Sequence, residues 1–202
     1  MNLKSQVLTL CLAAAAVSTL GATRAHAAVI PTIYSTSTPV AICDLCTVTS
    51  ILDVGAHGLL LDVDALIDIT HSYDADITIS LSHAGTTVLL SNRQGGSGGA
   101  NYTGTIFDDQ AGVAINAGYA YAPYTGAFRP QEALARFLGA DVFGQWTLTV
   151  TDFEAGDDGV INRFGIAAAV PAAQVPEPGS LALFCAALLG FGGASRRPRR
   201  KA

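Results

Sequence analysis

The sequence predicts an all-β sandwich between residues 51 and 170. Apolar and polar side chains alternate there, and this alternation marks strands with one face on a core and the other in water. Gly, Asp and Asn residues separate the alternating runs, as is typical of turns. A short helix is expected only at residues 130–138, because Pro130 lies near its start and Gly139 follows its end.

Seven strands are expected in this sandwich, the first of which begins just before residue 51. They are residues 48–54, 62–69, 77–82, 86–91, 105–107, 146–151 and 160–168. A domain of this size agrees with a single hydrophobic core.

Residues 1–27 have the pattern of a secretory signal peptide. Lys4 precedes an apolar stretch at residues 7–20, and Ala25 and Ala27 form a small-x-small cleavage site before Ala28. We therefore expect the Sec translocon and signal peptidase to act on the chain. A retained N-terminal anchor is the alternative, but the apolar stretch is short and the cleavage site is present.

Residues 28–50 are expected to be a lead-in that carries two cysteines, Cys43 and Cys46. In an oxidising compartment this pair predicts a small local disulfide. A redox-active Cys-x-x-Cys site is the less favoured alternative, because a strand-like Thr47-Val48-Thr49 follows instead of a helix. A zinc site is less favoured still, because the sequence offers no second pair of ligands.

The exported part is strongly acidic. All sixteen acidic residues lie between Asp44 and Glu177, whereas only four basic residues do, so the net charge there is −12. Such a surface repels nucleic acid and anionic membranes, which excludes nucleic acid as a partner. It also offers carboxylates to divalent cations, although an acidic surface can serve solubility alone.

Acidic loops are the best candidates for a metal site, and calcium is the one candidate cofactor. Calcium takes six to eight oxygen ligands from flexible loops. The spacing does not match an EF-hand, so any site is assembled from separate loops. The alternative is that these aspartates form turns in water. The candidate ligands are Asp74 and Asp76 after one strand, and Asp152, Asp157 and Asp158 after another.

The C-terminal region combines three elements. Residues 171–178 form a linker that ends in Val175, Pro176, Glu177 and Pro178. Residues 179–195 form an apolar transmembrane segment, whose 15 residues from Ser180 to Ala194 span only about 22 Å as a helix. Residues 196–202 form a basic tail, which the positive-inside rule places in the cytoplasm. The basic residues that stop the segment are Arg196, Arg197, Arg199 and Arg200.

This order of Pro-Glu-Pro, short apolar segment and arginine-rich tail resembles the PEP-CTERM sorting signal of Gram-negative bacteria. The resemblance implies processing by an exosortase. It also implies transient anchoring in the inner membrane, followed by placement at the cell surface or outside the cell.

A second resemblance covers residues 51–168. The chain carries Asp68-Ile69-Thr70-His71-Ser72-Tyr73, Gly85-Thr86, Phe107-Asp108-Asp109, Gly144-Gln145-Trp146-Thr147-Leu148, and Asp152 followed by Gly156-Asp157-Asp158-Gly159. These motifs resemble the P domain, or Homo B domain, of proprotein convertases and other subtilisin-like serine endopeptidases. The resemblance implies a jelly-roll β-sandwich without catalytic residues. His83-Ala84 and Phe164 depart from the usual pattern of the family.

We expect the protein not to be an enzyme. Asp53 and His57 superficially resemble the acid and base of subtilisins, but the sequence has no matching serine nucleophile segment. The favoured function is a surface or exopolysaccharide-matrix protein with a P-like module. An accessory role in proteolysis, beside a subtilisin-like protease, is the alternative, and a carbohydrate-binding module is a weaker one.

Overall fold

Ten strands form two sheets in the computed structural model, which describes residues 29, 31–96 and 100–171. The strands are β1 (Thr32–Thr36), β2 (Val40–Ile42), β3 (Thr47–Val54), β4 (Asp62–His71), β5 (Ile77–His83), β6 (Thr86–Asn92), β7 (Tyr102–Phe107), β8 (Tyr124–Phe128), β9 (Gly144–Asp152) and β10 (Gly159–Ala169). The expected signal peptide, sorting motif, transmembrane segment and basic tail lie outside the described residues. Within those residues, no helix is long and apolar enough to cross a membrane.

The larger sheet has the order β1-β10-β4-β7-β8, and β2 also pairs with β10. The smaller sheet has the order β3-β9-β5-β6. Neighbouring strands are antiparallel except β7 and β8, which run parallel. The prediction of an all-β sandwich is therefore confirmed.

The core lies between the two sheets because alternate side chains of each strand point inward. In β5 and β9 every second residue is buried. Trp146 on β9 is fully buried, and its indole Nε1 donates a hydrogen bond of 3.1 Å to the carbonyl of Val142. The ring of Phe137 packs edge-on against the indole, with ring centroids 5.2 Å apart. As the alternation of apolar and polar residues predicted, the apolar side chains of both sheets pack into one core.

The predicted helix at residues 130–138 is shorter than expected. Within that range the structure has a four-residue 3-10 helix, Leu134–Phe137, and two further 3-10 helices lie at Asp74–Asp76 and Tyr119–Tyr121. The carboxylate of Asp109 accepts hydrogen bonds from the backbone N–H of Leu134 and of Ala135, at 2.9 and 2.8 Å. Asp109, in a distant loop, therefore caps the first amides of this helix. The sequence around residues 130–138 does not show this interaction.

The lead-in at residues 28–50 does not lie outside the sandwich. Its described residues supply β1 and β2, which both pair with β10. The structure also joins Cys43 and Cys46 in a disulfide, in the turn between β2 and β3. β1 gave no clear signal in the sequence because it is an edge strand with mostly exposed side chains.

Replacing Gly165 with alanine tests whether β1 belongs to the sheet. A Cβ atom at Gly165 would lie 2.7 Å from the carbonyl oxygen of Tyr34 on β1. We expect Gly165→Ala to lower the free energy of unfolding by roughly 1–3 kcal/mol, as overpacking does elsewhere. Urea unfolding measures the change. Gly55→Ala is the control, since a Cβ there meets nothing within 4 Å. Equal stability of the two variants would contradict the pairing of β1 with β10.

Candidate functional site

Two turns meet at one end of the sandwich and bring most of the predicted metal ligands into one region. One turn follows β4, and the other follows β9. Ile77, which begins β5, lies opposite Asp152, and the backbone N–H of Phe153 donates a hydrogen bond of 3.0 Å to the carbonyl of Asp76. We call this region the acidic end, defined as Asp74, Asp76, Asp152, Glu154 and Asp157.

His71 joins the two sheets at the acidic end. It is fully buried at the end of β4, and its Nε2 lies 3.3 Å from Oδ2 of Asp152, which ends β9. Its Nδ1 lies 2.9 Å from the carbonyl oxygen of Tyr73 and 3.2 Å from the amide nitrogen of the same residue. The other oxygen of Asp152 accepts a hydrogen bond of 2.9 Å from the amide of Glu154. These contacts occupy both ring nitrogens and give His71 a structural role.

Asp74 turns away from the other carboxylates. Its Oδ1 accepts a hydrogen bond of 2.9 Å from the amide of Asn101, whereas its Oδ2 is buried without a partner among the described residues. The hydroxyl of Tyr124 is also buried and unpartnered there. Burial raises the pKa of Asp74 to about 7, against the smaller opposing effects of Asn101 and His71.

Two tyrosines near Asp74, Tyr102 and Tyr124, are fully buried. Tyr102 and Tyr124 stack with ring centroids 5.1 Å apart, and the hydroxyl of Tyr102 shares a 3.0 Å hydrogen bond with Ser91. Burial and, to a smaller extent, the Asp74 carboxylate raise the pKa of Tyr124 to about 12. Asp74 therefore belongs to a buried polar cluster rather than to an open ligand site.

Asp76 faces the remaining carboxylates of the acidic end. Burial raises its pKa, and the negative charges of Asp152, Asp157 and Glu154 raise it further, while His71 lowers it. Glu154 pairs with Arg93, whose Nε donates a 3.0 Å hydrogen bond to the carbonyl of Ala75. Like charges gathered around one buried carboxylate favour a positive counter-charge.

The structure brings together only part of the predicted calcium set. Asp76, Asp152 and Asp157 are neighbours, and Asp157 accepts a hydrogen bond from the hydroxyl of Ser72. Asp74 points elsewhere, and Asp158 is exposed. Among residues 31–96 and 100–171, no three His, Cys, Asp or Glu side chains are placed to hold one metal ion. Sequence reasoning missed Glu154, although it follows Asp152 in the same loop.

A second His-Asp pair lies at the opposite end of the sandwich. Nδ1 of His57 lies 2.9 Å from Oδ2 of Asp141, and the other oxygen of Asp141 accepts hydrogen bonds from the amides of Gly58 and Phe143 at 2.9 and 3.0 Å. The hydrogen bond from His57 is the main cause that lowers the pKa of Asp141 to about 2. His57 therefore pairs with Asp141, not with the nearby Asp53.

Neither His-Asp pair has the form of a catalytic triad. A triad needs a serine or cysteine hydrogen-bonded to the histidine nitrogen that does not contact the acid. In the described part of the chain, no such nucleophile contacts His57 or His71.

Two family models match the chain. The model described as the proprotein convertase P-domain matches residues 60–168, and the PEP-CTERM protein-sorting motif matches residues 174–200. No curated protein matches the chain.

Solved structures of a serine protease from Aeromonas sobria, with and without its chaperone, are similar over 71% and 70% of the chain. The identity is 16% in both cases, and the TM-scores are 0.42 and 0.41. The chain spans 28% of the length of these proteases.

Replacing Asp74 with asparagine should change how stability depends on pH. A carboxylic acid with a higher pKa in the folded chain stabilises the fold when protonated. That stabilisation is complete below the unfolded value of 3.8 and is lost as pH rises through about 7. We expect Asp74→Asn to be more stable than the wild type at pH 8, by up to about 1.4 kcal/mol per unit of pKa shift removed.

Urea unfolding at pH 5 and pH 8 in chelator measures this difference. The exposed Asp158→Asn is the control and should follow the wild type at both values. A pH dependence in Asp74→Asn identical to that of the wild type would show that Asp74 is not the group responsible.

Proposed function

Because the chain belongs to the proprotein convertase P-domain family, we propose that it is a non-catalytic binding or structural module, exported to the surface or exopolysaccharide matrix of a Gram-negative bacterium. The observation that carries this proposal is the order of two matched segments on one chain. The P-domain ends at residue 168, and the sorting motif begins at residue 174. The sandwich is thus the cargo of the sorting motif.

Charge and covalent structure support an extracellular location. The exported part has a net charge of −12, which favours solubility and disfavours binding to nucleic acid. The Cys43–Cys46 disulfide is the kind of bond that persists in oxidising compartments.

An accessory role in proteolysis is the second candidate, because the matched family is named for its place in proprotein convertases. In that case, the sandwich would act on a separate subtilisin-like serine endopeptidase. Co-purification of such a protease with the full chain from the native host would favour this candidate. Retention of the chain on the host's own polysaccharide would favour the matrix role.

Exosortase processing is the direct test of the sorting proposal. We expect the mature chain to begin at Ala28 and to end near Pro178, because the processing enzyme removes the apolar segment and the arginines. Intact-mass spectrometry of the chain from the native host measures both ends. In a strain without exosortase, the chain should keep its arginine tail and stay in the membrane fraction. An intact tail in the parent strain would instead identify an ordinary anchor.

We also propose that calcium binds at the acidic end, where it would draw together carboxylates that, among the described residues, are not placed around one ion. A cation between Asp76, Asp152 and Asp157 would offset the burial and the charge repulsion that raise the pKa of Asp76. Binding to the folded state alone raises stability, so the melting temperature should be higher in calcium than in chelator. Asp157→Asn should reduce this difference, whereas Asp109→Asn at the other end should not. Identical melting curves in calcium and in chelator would exclude a calcium site.

A further inference from the structure

Two short segments pair with each other at the end of the sandwich opposite the acidic end. Residues 57–61 and 138–143 run antiparallel, with backbone hydrogen bonds from Leu60 to Ala140, from Gly139 to Leu60, and from Val142 to Gly58, at 2.9, 3.0 and 2.9 Å. Leu60 and Val142 point into the core and are buried. This pairing fixes which side chains the two segments present outward.

Four large apolar side chains of these segments are exposed. They are Leu59, Leu61, Leu138 and Phe143, with 57%, 51%, 45% and 49% of their surface in contact with solvent. We call them the leucine face. His57 stacks on Phe143 with ring centroids 4.1 Å apart, and its partner Asp141 lies opposite Leu59. Exposed apolar groups gathered in this way mark a surface that meets another apolar phase.

The leucine face lies where the chain leaves the sandwich. The amide of Leu61 donates a hydrogen bond of 2.8 Å to the carbonyl of Ala169, the last residue of β10. Val170 packs against Gly58 so closely that a Cβ on Gly58 would lie 2.9 Å from its side chain. The described chain ends one residue later, at Pro171.

The length of the remaining chain limits how far the leucine face can be from a membrane. Seven residues, 172–178, separate Pro171 from the apolar run of the sorting motif. Fully extended, seven residues span at most about 25 Å. While that run is in the bilayer, Pro171 is therefore held within about 25 Å of the bilayer surface. Leu61 of the leucine face is hydrogen-bonded to Ala169, two residues before Pro171.

We propose that, in the membrane-anchored form, the leucine face lies in the boundary between lipid headgroups and acyl chains on the outer side of the inner membrane. The proposal rests on the proposed sorting function, which supplies the membrane segment. Interfacial binding of this kind buries apolar side chains about 5–10 Å deep. The acidic end then points away from the bilayer, separated from the leucine face by the nine residues of β9, or about 30 Å.

The charges near the leucine face determine which lipids it prefers. Asp141 is paired with His57, but four carboxylates of the same end carry negative charge close to the bilayer: Asp62, Asp64, Asp108 and Asp109. Zwitterionic lipid should therefore be favoured over anionic lipid.

Two phenylalanines provide a matched test of this orientation. Phe143 and Phe153 directly precede and follow β9, and each is 49% exposed. In separate variants, Phe143→Trp and Phe153→Trp place an indole at opposite ends of the sandwich. The full chain is reconstituted into vesicles of phosphatidylcholine brominated near the headgroup end of its acyl chains, and tryptophan fluorescence is recorded. The wild type, which has only the buried Trp146, gives the background.

We expect brominated lipid to quench the added fluorescence of Phe143→Trp by about half, as suits a side chain 5–10 Å into the boundary. The fluorescence of Phe153→Trp should not change. Leu59→Asp in the Phe143→Trp background should reduce the quenching, and so should phosphatidylglycerol in the vesicles. Equal quenching of the two tryptophan variants, or none in either, would overturn the proposal.

Alkaline extraction of the same vesicles separates this proposal from the one on which it rests. Extraction of the chain from the vesicles would mean that the apolar run does not span the bilayer, and both proposals would fail. A chain that stays in the vesicles without quenching at position 143 would overturn only the orientation. If the chain dimerises and the fluorescence of Phe143→Trp is the same in normal and in brominated lipid, the leucine face binds a second copy of the chain instead of lipid.

Discussion

The antiparallel pairing of β4 with β10 is the contact on which the rest of the molecule depends. It runs from Gly159 opposite His71 to Ala169 opposite Asp62. A Cβ at Gly159 would lie 2.3 Å from the carbonyl oxygen of Thr70, so only glycine permits this close approach at the start of β10. The same strand pair fixes both ends of the sandwich: His71 reaches Asp152 at one end, and the chain leaves beside Leu61 at the other.

Two buried histidines lie at opposite ends of the sandwich: His71 connects β4 to the smaller sheet, and His83 lies within the smaller sheet. His71 contacts a carboxylate, whereas Nδ1 and Nε2 of His83 lie 3.0 and 2.7 Å from the carbonyl oxygens of Gln145 and Asp141. The ring of His83 also stacks on Trp146, with centroids 4.0 Å apart. His83 is buried, and each of its ring nitrogens faces a backbone carbonyl oxygen of the neighbouring segment.

The sequence predicted the strands whose apolar and polar residues alternate strictly and missed those that lack this alternation. β5 and β9 follow a strict period of two, because alternate residues meet the core. β1 and β8 lack this pattern, since the first is an exposed edge and the second contains Gly126 between its two buried ends. At the acidic end, three residues of the predicted metal set, Asp76, Asp152 and Asp157, lie near one another. It could not show that Asp74 turns towards Asn101 and the buried tyrosines.

By itself, the sequence determined the all-β class, the inward face of most strands, the −12 charge of the exported part and the order of P-domain and sorting motif. These properties depend on residue type and local spacing, which a single chain displays directly. Three features were decided only by the tertiary structure: β1 and β2 both pair with β10, Asp74 is buried, and the leucine face lies where the chain leaves the sandwich. Those features arise from contacts between distant residues, because strand order and register are set by pairing across the whole chain rather than by neighbours in sequence.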